Sequence, residues 1–214
     1  MHTQDVAVLL RSASESGEPC PPVRELGGLT IDDAYVIQEI VMSGLASERN
    51  PRIGRKVGLT SPAVQRQLGV DRPDFGVLLA DMRIDDDGLI PFGRLLQPRI
   101  EAEIAFVLAD DVDDAHPDAV ARAVANAMTL RKNGEVVSQG TGADCLGSPL
   151  NALVWVAGTA LTLGRPLRAG EVVLSGALGP MVPVAPGDVF EADIPALGSV
   201  TVSAEAATPT RKDS

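Results

Sequence analysis

Pro98-Arg-Ile-Glu-Ala-Glu-Ile-Ala-Phe-Val-Leu108 alternates apolar and polar side chains in the manner of a half-buried strand. Ile100, Ala102, Ile104, Phe106 and Leu108 share one face; Arg99, Glu101, Glu103, Ala105 and Val107 share the other. Glu101 and Glu103 therefore point the same way, about 6 to 7 Å apart after two steps of strand rise. Carboxylates held side by side repel unless water, a basic side chain or a metal ion takes up their charge. On these residues alone two readings stay open. One is a strand with a wet face; the other is half of an oxygen-ligand site for Mg²⁺ or Mn²⁺.

The chain around this stretch has 214 residues, enough for one sizeable domain with its own core or for a smaller domain with an arm. Its composition, 45% apolar against 22% charged, is globular rather than disordered. Aromatic residues are too scarce, at 3%, for a base-stacking surface, and a net charge of −11 without a basic patch does not suit phosphate backbones. No nucleic-acid partner is expected. Cys20 and Cys145 match no metal or redox spacing and read as thiols of a reducing compartment. Met1-His-Thr-Gln-Asp lacks signal-peptide character, and the most apolar stretch, Leu150 to Leu163, falls short of the roughly 18 residues of a membrane span. These features point to a soluble cytoplasmic protein with no membrane partner.

The first fifty residues read as a helical region: a short amphipathic helix over Asp5 to Ala13, a polar break at 14–22, and a second helix to Ser47. The second opens on the capping-box pattern Thr30-Ile-Asp-Asp33, with Ala34, Ile37, Val41 and Leu45 at helical spacing. Residues 51–207 read as a β-rich unit. Arg52 to Thr60 is extended, with Lys56 between Gly54 and Gly58, glycines that let another group approach the backbone. Lys56 is either a surface lysine or, near paired carboxylates, a charged acid/base or anion-orienting group. Ser61-Pro62 starts a short helix over Ala63 to Leu68 that stops at Gly69.

Val70 to Gly76 reads as turns leading to a run from Val77 to Met82. Asp74-Phe-Gly76 spells a kinase metal-binding tripeptide, but no glycine-rich loop accompanies it. Asp74 is then a turn aspartate or a carboxylate presented near Lys56. The acidic stretch from Asp110 to Asp118 lacks the glycine and closing glutamate of a calcium loop, and His116 within it reads as solvated. A helix-like run over Asp118 to Met128 precedes a hairpin through Asn133-Gly134. Ser148-Pro149 starts a helix from Leu150 to Leu163, closed by Gly164. Arg168 to Gly179 gives a strand and a small-residue bend whose N–H groups suit an anionic ligand. Strands over Val189 to Ile194 and Gly198 to Ser203 follow, then a polar tail at 208–214.

Four motifs stand in a characteristic order: Gly54-Arg-Lys-Val-Gly-Leu-Thr-Ser61, the run from Gln65 to Leu79 containing Pro73-Asp-Phe-Gly76, Pro98 to Phe106, and Leu146-Gly-Ser-Pro-Leu-Asn-Ala152 with Leu174-Ser-Gly-Ala-Leu-Gly179. As a set they resemble the 2-keto-4-pentenoate hydratase and 4-oxalocrotonate decarboxylase branch of the fumarylacetoacetate hydrolase superfamily, over most of the chain. The resemblance implies an α+β, mixed β-rich fold, sandwich or roll, with N-terminal and flanking helices. It also implies a homo-oligomer using Mg²⁺ or Mn²⁺ on a small 2-hydroxydienoate from aromatic catabolism. By motif position, Glu101 and Glu103 are metal ligands, Lys56 and Asp74 orient substrate and move protons, and Leu68, Ser175 and Gly179 contact substrate.

One departure bears on activity. Family members carry, between the acidic loop and the late hairpin, a block containing a third metal carboxylate; here the chain runs almost directly into Leu130 to Val137, so the block after about residue 128 is missing. Glu135 lies in the hairpin and is not assigned to the metal. The resemblance therefore leaves a working hydratase, a decarboxylase, or a catalytically impaired relative that assembles with an intact hydratase or decarboxylase.

Overall fold

The computed structural model describes residues 2–61, 65–66, 69–112, 127–195 and 197–207. The first element, α1 (Thr3–Ser16), runs three residues past the expected end and is capped by Gly17, whose left-handed φ of 72° lets its N–H reach the Ala13 carbonyl at 3.1 Å. The second, α2 (Ile31–Leu45), starts at the capping box read from the sequence. The Asp33 N–H donates to Thr30 Oγ1 at 3.1 Å, and the Thr30 N–H donates to the Asp33 carboxylate at 2.8 Å. Val6 and Ala7 of α1 bury themselves against Ile37 of α2, a small apolar cluster separate from the main core.

The β-rich part contains β1 (Arg52–Gly58), β2 (Asp74–Leu79), β3 (Gly88–Ile90), β4 (Arg99–Ile100), β5 (Ala105–Val107), β6 (Ala127–Lys132) and β7 (Glu135–Thr141). After α3 (Pro149–Thr162) come β8 (Val172–Leu174), β9 (Val182–Pro183), β10 (Val189–Ile194) and β11 (Gly198–Ala204). Among the described residues they form a four-stranded sheet in the order β2-β1-β8-β5, a five-stranded sheet in the order β3-β11-β10-β6-β7, and the small pair β4-β9. Both larger sheets are mixed: β1 runs parallel to β8 and β11 parallel to β3, while the other pairs are antiparallel. This is an α+β fold with N-terminal and flanking helices.

The stretch read as one strand over 98–108 is two short strands with an irregular link at 101–104. The cause is a change of partner. Arg99 and Ile100 pair with β9, whereas Ala105 to Val107 pair with β8, so the chain crosses between sheets in the four residues between. Side-chain and backbone bonds hold the crossing in place: the Ile104 N–H donates to Ser175 Oγ at 3.2 Å, and the Leu178 N–H donates to the Ala102 carbonyl at 3.0 Å. The apolar face survives the break, with Ala102 buried and Ile100, Ile104 and Phe106 packed on the core.

Strand β2 begins at Asp74, three residues before the expected run, because Phe75 and Gly76 pair with Val57 and Lys56. Its outer edge is covered by α2: the Gln38 amide donates to the Phe75 carbonyl at 2.9 Å and accepts from the Val77 N–H at 3.0 Å. The β6–β7 hairpin turns through Asn133 and Gly134, at φ of 52° and 88°, the two left-handed residues that a tight turn of this type requires. The apolar run 142–162, at 21 residues and mean hydropathy 1.2, reaches membrane-span length and composition, contrary to the shorter reading of Leu150 to Leu163. Within it α3 is a core helix, with Ala152, Val156 and Ala160 sealed from solvent. Of the helix expected over 63–68, only Gln65 and Arg66 are described, and both are helical. His116 and the helix-like run up to residue 126 lie outside the described residues, as does the tail from 208; Ala127 and Met128 belong to β6.

Candidate active site

Strand β1 lies between β2 and β8, which fixes the level of Lys56: it stands beside Gly76 on one side and Leu174 on the other. Leu174 in turn stands beside Ala105 of β5, so the residues just before β5 arrive alongside Lys56. The Lys56 ammonium donates to Glu101 Oε2 at 2.7 Å and to Glu103 Oε1. The two carboxylates thus converge on one cation, and the wet-face reading fails for Glu103, whose side chain is 7% exposed. Its second oxygen, Oε2, accepts the Gly176 N–H at 2.9 Å. Gly176 has φ +94° and lies so near Thr60 that a β-carbon there would stand 2.5 Å from the Thr60 hydroxyl oxygen. The bend read from the sequence as an anion-binding nest therefore serves an anion of the chain itself, Glu103.

Burial works against the charge on Lys56, but Glu103 and Glu101 outweigh it and hold the ammonium's pKa above its ordinary value. Burial pushes the Glu103 carboxyl up, against the opposing pull of Lys56 and the Gly176 N–H. Asp74, at the start of β2, faces Gly58, where any β-carbon would collide with its Oδ1. Partial burial of the carboxyl raises its pKa although the residue has an exposed side; its backbone hydrogen bond and the Lys56 charge act in the opposite direction. Tyr35 of α2 stacks on Phe75 with ring centres 4.8 Å apart, and burial together with the Asp74 charge raises its hydroxyl. Tyr35 was not singled out in the sequence, whereas Gly58 was, as a glycine beside Lys56 that lets another group approach. The spacing of Gly54 and Gly58 around Lys56 was the available signal for the second.

Lys56, Glu101 and Glu103 line an open cavity of about 1020 Å³ whose remaining wall is largely apolar, including Ile90, Leu130, Phe190 and Ile194. Ser175 and Gly179, expected at the substrate, do not line this cavity. The Ser175 hydroxyl is fully buried and donates to the Gly176 carbonyl at 3.1 Å while holding Ile104, and Gly179 packs against Met128, Ser138 and Gln139. Leu68 lies outside the described residues. Glu135 sits at the far end of the β6–β7 hairpin, beside Lys132, and does not line the cavity. Among the described residues, no three His, Cys, Asp or Glu side chains gather in one place.

This arrangement has relatives. Residues 115–203 match the family described as fumarylacetoacetate hydrolase C-terminal. A 2-keto-4-pentenoate hydratase of Paraburkholderia xenovorans is 41% identical, with 94% of each chain covered. The chain belongs to the 2-keto-4-pentenoate hydratase and 4-oxalocrotonate decarboxylase branch of the fumarylacetoacetate hydrolase superfamily. Its fold matches a 4-oxalocrotonate decarboxylase from Pseudomonas putida G7, complexed with calcium and acetate, at a TM-score of 0.87 and 26% identity over 94% of this chain and 96% of that one. The same decarboxylase complexed with magnesium and adipate matches at 0.86 and 25%, over 94% of this chain and 97% of that one. The Paraburkholderia alignment runs over 254 positions, 40 more than the 214 residues present here. At least that many positions of the relative face no residue of this chain.

Proposed function

We propose that this protein is a hydro-lyase that adds water to a 2-hydroxy-2,4-dienoate, taking 2-hydroxypenta-2,4-dienoate to 4-hydroxy-2-oxopentanoate in the breakdown of aromatic compounds. The observation that carries the reading is the convergence of Lys56 on Glu101 and Glu103 at the wall of the cavity. Hydration is favoured over decarboxylation because the identity to the hydratase, 41%, exceeds that to the decarboxylase, 26%. A cytoplasmic homo-oligomer belongs to the same reading, and its mass in solution tests that part.

The residues fit a divalent ion. Glu101 and Glu103 approach one point closely enough for a single ammonium to bond both, and Mg²⁺ typically takes one or two carboxylates, with water and substrate oxygens completing its shell. Glu101 and Glu103 would hold Mg²⁺ or Mn²⁺, which when bound supplies a positive charge that stabilises the oxygen at carbon 2 of the substrate. The chain's own groups do the remaining work. The Lys56 ammonium pairs with the substrate carboxylate and orients it. Asp74, its carboxyl raised, holds a proton closer to neutral pH than a solvated aspartate and passes it to the dienol carbon chain. Protonation at carbon 5 with loss of the 2-hydroxyl proton leaves an enone; water then adds at carbon 4 and carbon 3 takes up a proton.

The test is to supply freshly generated 2-hydroxypenta-2,4-dienoate with Mg²⁺ or Mn²⁺ and follow loss of the dienol absorbance. Absence of metal-dependent turnover overturns the proposal. A second reading, a catalytically impaired relative that assembles with an intact hydratase or decarboxylase, is favoured by the absent internal segment, which we place after about residue 128. Tight, stoichiometric metal binding counts against that second reading.

A further inference from the structure

Lys56 stands where a cation would be held. Its ammonium bonds both glutamates, and Glu103 spends its other oxygen on the Gly176 N–H. A divalent ion bound by the same two carboxylates would sit within a few ångströms of that ammonium, and two cations at such a distance in a partly buried site repel strongly. We infer that Lys56 is a built-in competitor for the metal: an ion enters the Glu101–Glu103 pair only as Lys56 leaves it, and loading releases the ammonium toward Asp74. The inference rests on the reading of Glu101 and Glu103 as the pair that binds the divalent ion.

The structure provides the means for such an exchange. Alternate residues of a strand share a face, and on the Lys56 face of β1 the neighbours are Gly54 and Gly58, so no side chain of its own strand confines it. Its four-carbon stem is flexible, whereas Glu103 is held from behind by the Gly176 N–H, and the next residue, Ile104, by the Ser175 hydroxyl. A second anion is within reach. Asp74 lies diagonally across the β1–β2 ladder, opposite Gly58 while Lys56 is opposite Gly76, and its carboxylate already feels the Lys56 charge. Moving from one acidic partner to the other keeps the ammonium paired until substrate binds, when the substrate carboxylate takes it over and Asp74 is freed to hold its proton.

Two measurements decide it on the intact chain. Free Mn²⁺ is titrated by its paramagnetic resonance signal against the wild type, Lys56→Met and Glu103→Gln. Lys56→Met is expected to bind Mn²⁺ at least about tenfold tighter than the wild type, since one of the two competing cations is gone, and Glu103→Gln to bind it more weakly. Separately, reductive methylation of Lys56 in the wild type, read by peptide mass, is expected to run several-fold faster with Mg²⁺ than without. Equal or weaker Mn²⁺ binding by a folded Lys56→Met overturns the inference; so does an unchanged methylation rate, which needs no variant. If both expected results appear while the dienol assay shows no turnover, the hydratase reading falls and the exchange stands.

Discussion

Gly58 faces Asp74 across the β1–β2 ladder, and the Asp74 carboxylate occupies the space that a side chain at residue 58 would need. The backbone of one strand thus serves as the seat of the acid on the next. Gly58→Ala is expected to turn the carboxylate away from Lys56 while leaving the ladder intact. In the dienol assay kcat should fall by about 10- to 100-fold, the scale of a misplaced proton-transfer group. A variant that keeps wild-type kcat removes Asp74 from the proton path.

Glu103→Gln keeps an oxygen to accept the Gly176 N–H but removes the negative charge that Lys56 pairs with. The substitution is nearly isosteric, so its effect on activity separates charge from shape. Turnover is expected to drop by at least about 100-fold, as when a preorganised electrostatic contact is lost. Circular dichroism should remain that of the wild type.

Asp188 joins the turn before β10 to the hairpin: it bonds the Lys132 ammonium at 2.7 Å, the Ala185 N–H at 2.6 Å and the Asn133 amide at 3.0 Å. Burial opposes its charge, but these three contacts prevail and hold its pKa below the usual aspartate value. A carboxyl depressed in the folded state contributes stability that is present above the unfolded pKa, near 3.8, and lost as pH falls through the folded value. The urea midpoint of the wild type should therefore decline below about pH 4. Asp188→Asn should be less stable at pH 7 and lose less on acidification; parallel pH profiles would count against this account.

What could be read in advance divides by sequence distance. The Thr30–Asp33 cap, the Asn133-Gly134 turn and the start of α3 at Ser148-Pro149 are each settled within a few residues, and all three form. The break at 101–104 was not legible, because it depends on β8 and β9, whose pairings lie 65 or more residues further along. The meeting of Lys56 with Glu101 and Glu103 spans 45 and 47 residues, and the residues offered it only as one alternative to a surface lysine. No local pattern shows that a bend at Gly176 will bind Glu103, and the motif position of Ser175 gave no hint that its hydroxyl would face inward to hold Ile104.

Thr30→Ala removes the hydroxyl that caps α2 and leaves the Asp33 N–H without its partner. The expected cost is about 1 kcal/mol. Because α2 also covers the β2 edge through Gln38, proteolysis within residues 70–80 should accelerate along with the drop in urea midpoint. Unchanged cleavage there would mean that the edge is protected independently of the helix.

Ala192 tests whether the cavity beside the site is slack space or needed room. It lies on β10 between Phe190 and Ile194, two residues from each and so on their face, and all three line the cavity of about 1020 Å³. A longer apolar side chain there gains contacts without displacing a neighbour, the situation in which cavity filling stabilises by about 0.5–2 kcal/mol. Ala192→Leu should therefore raise the urea midpoint. If the same variant also raises KM for a dienoate bearing a bulky apolar substituent and leaves the five-carbon substrate unaffected, the apolar wall is where the substrate tail lies. If KM for both substrates is unchanged while stability rises, the space is slack left around the core and takes no part in recognition.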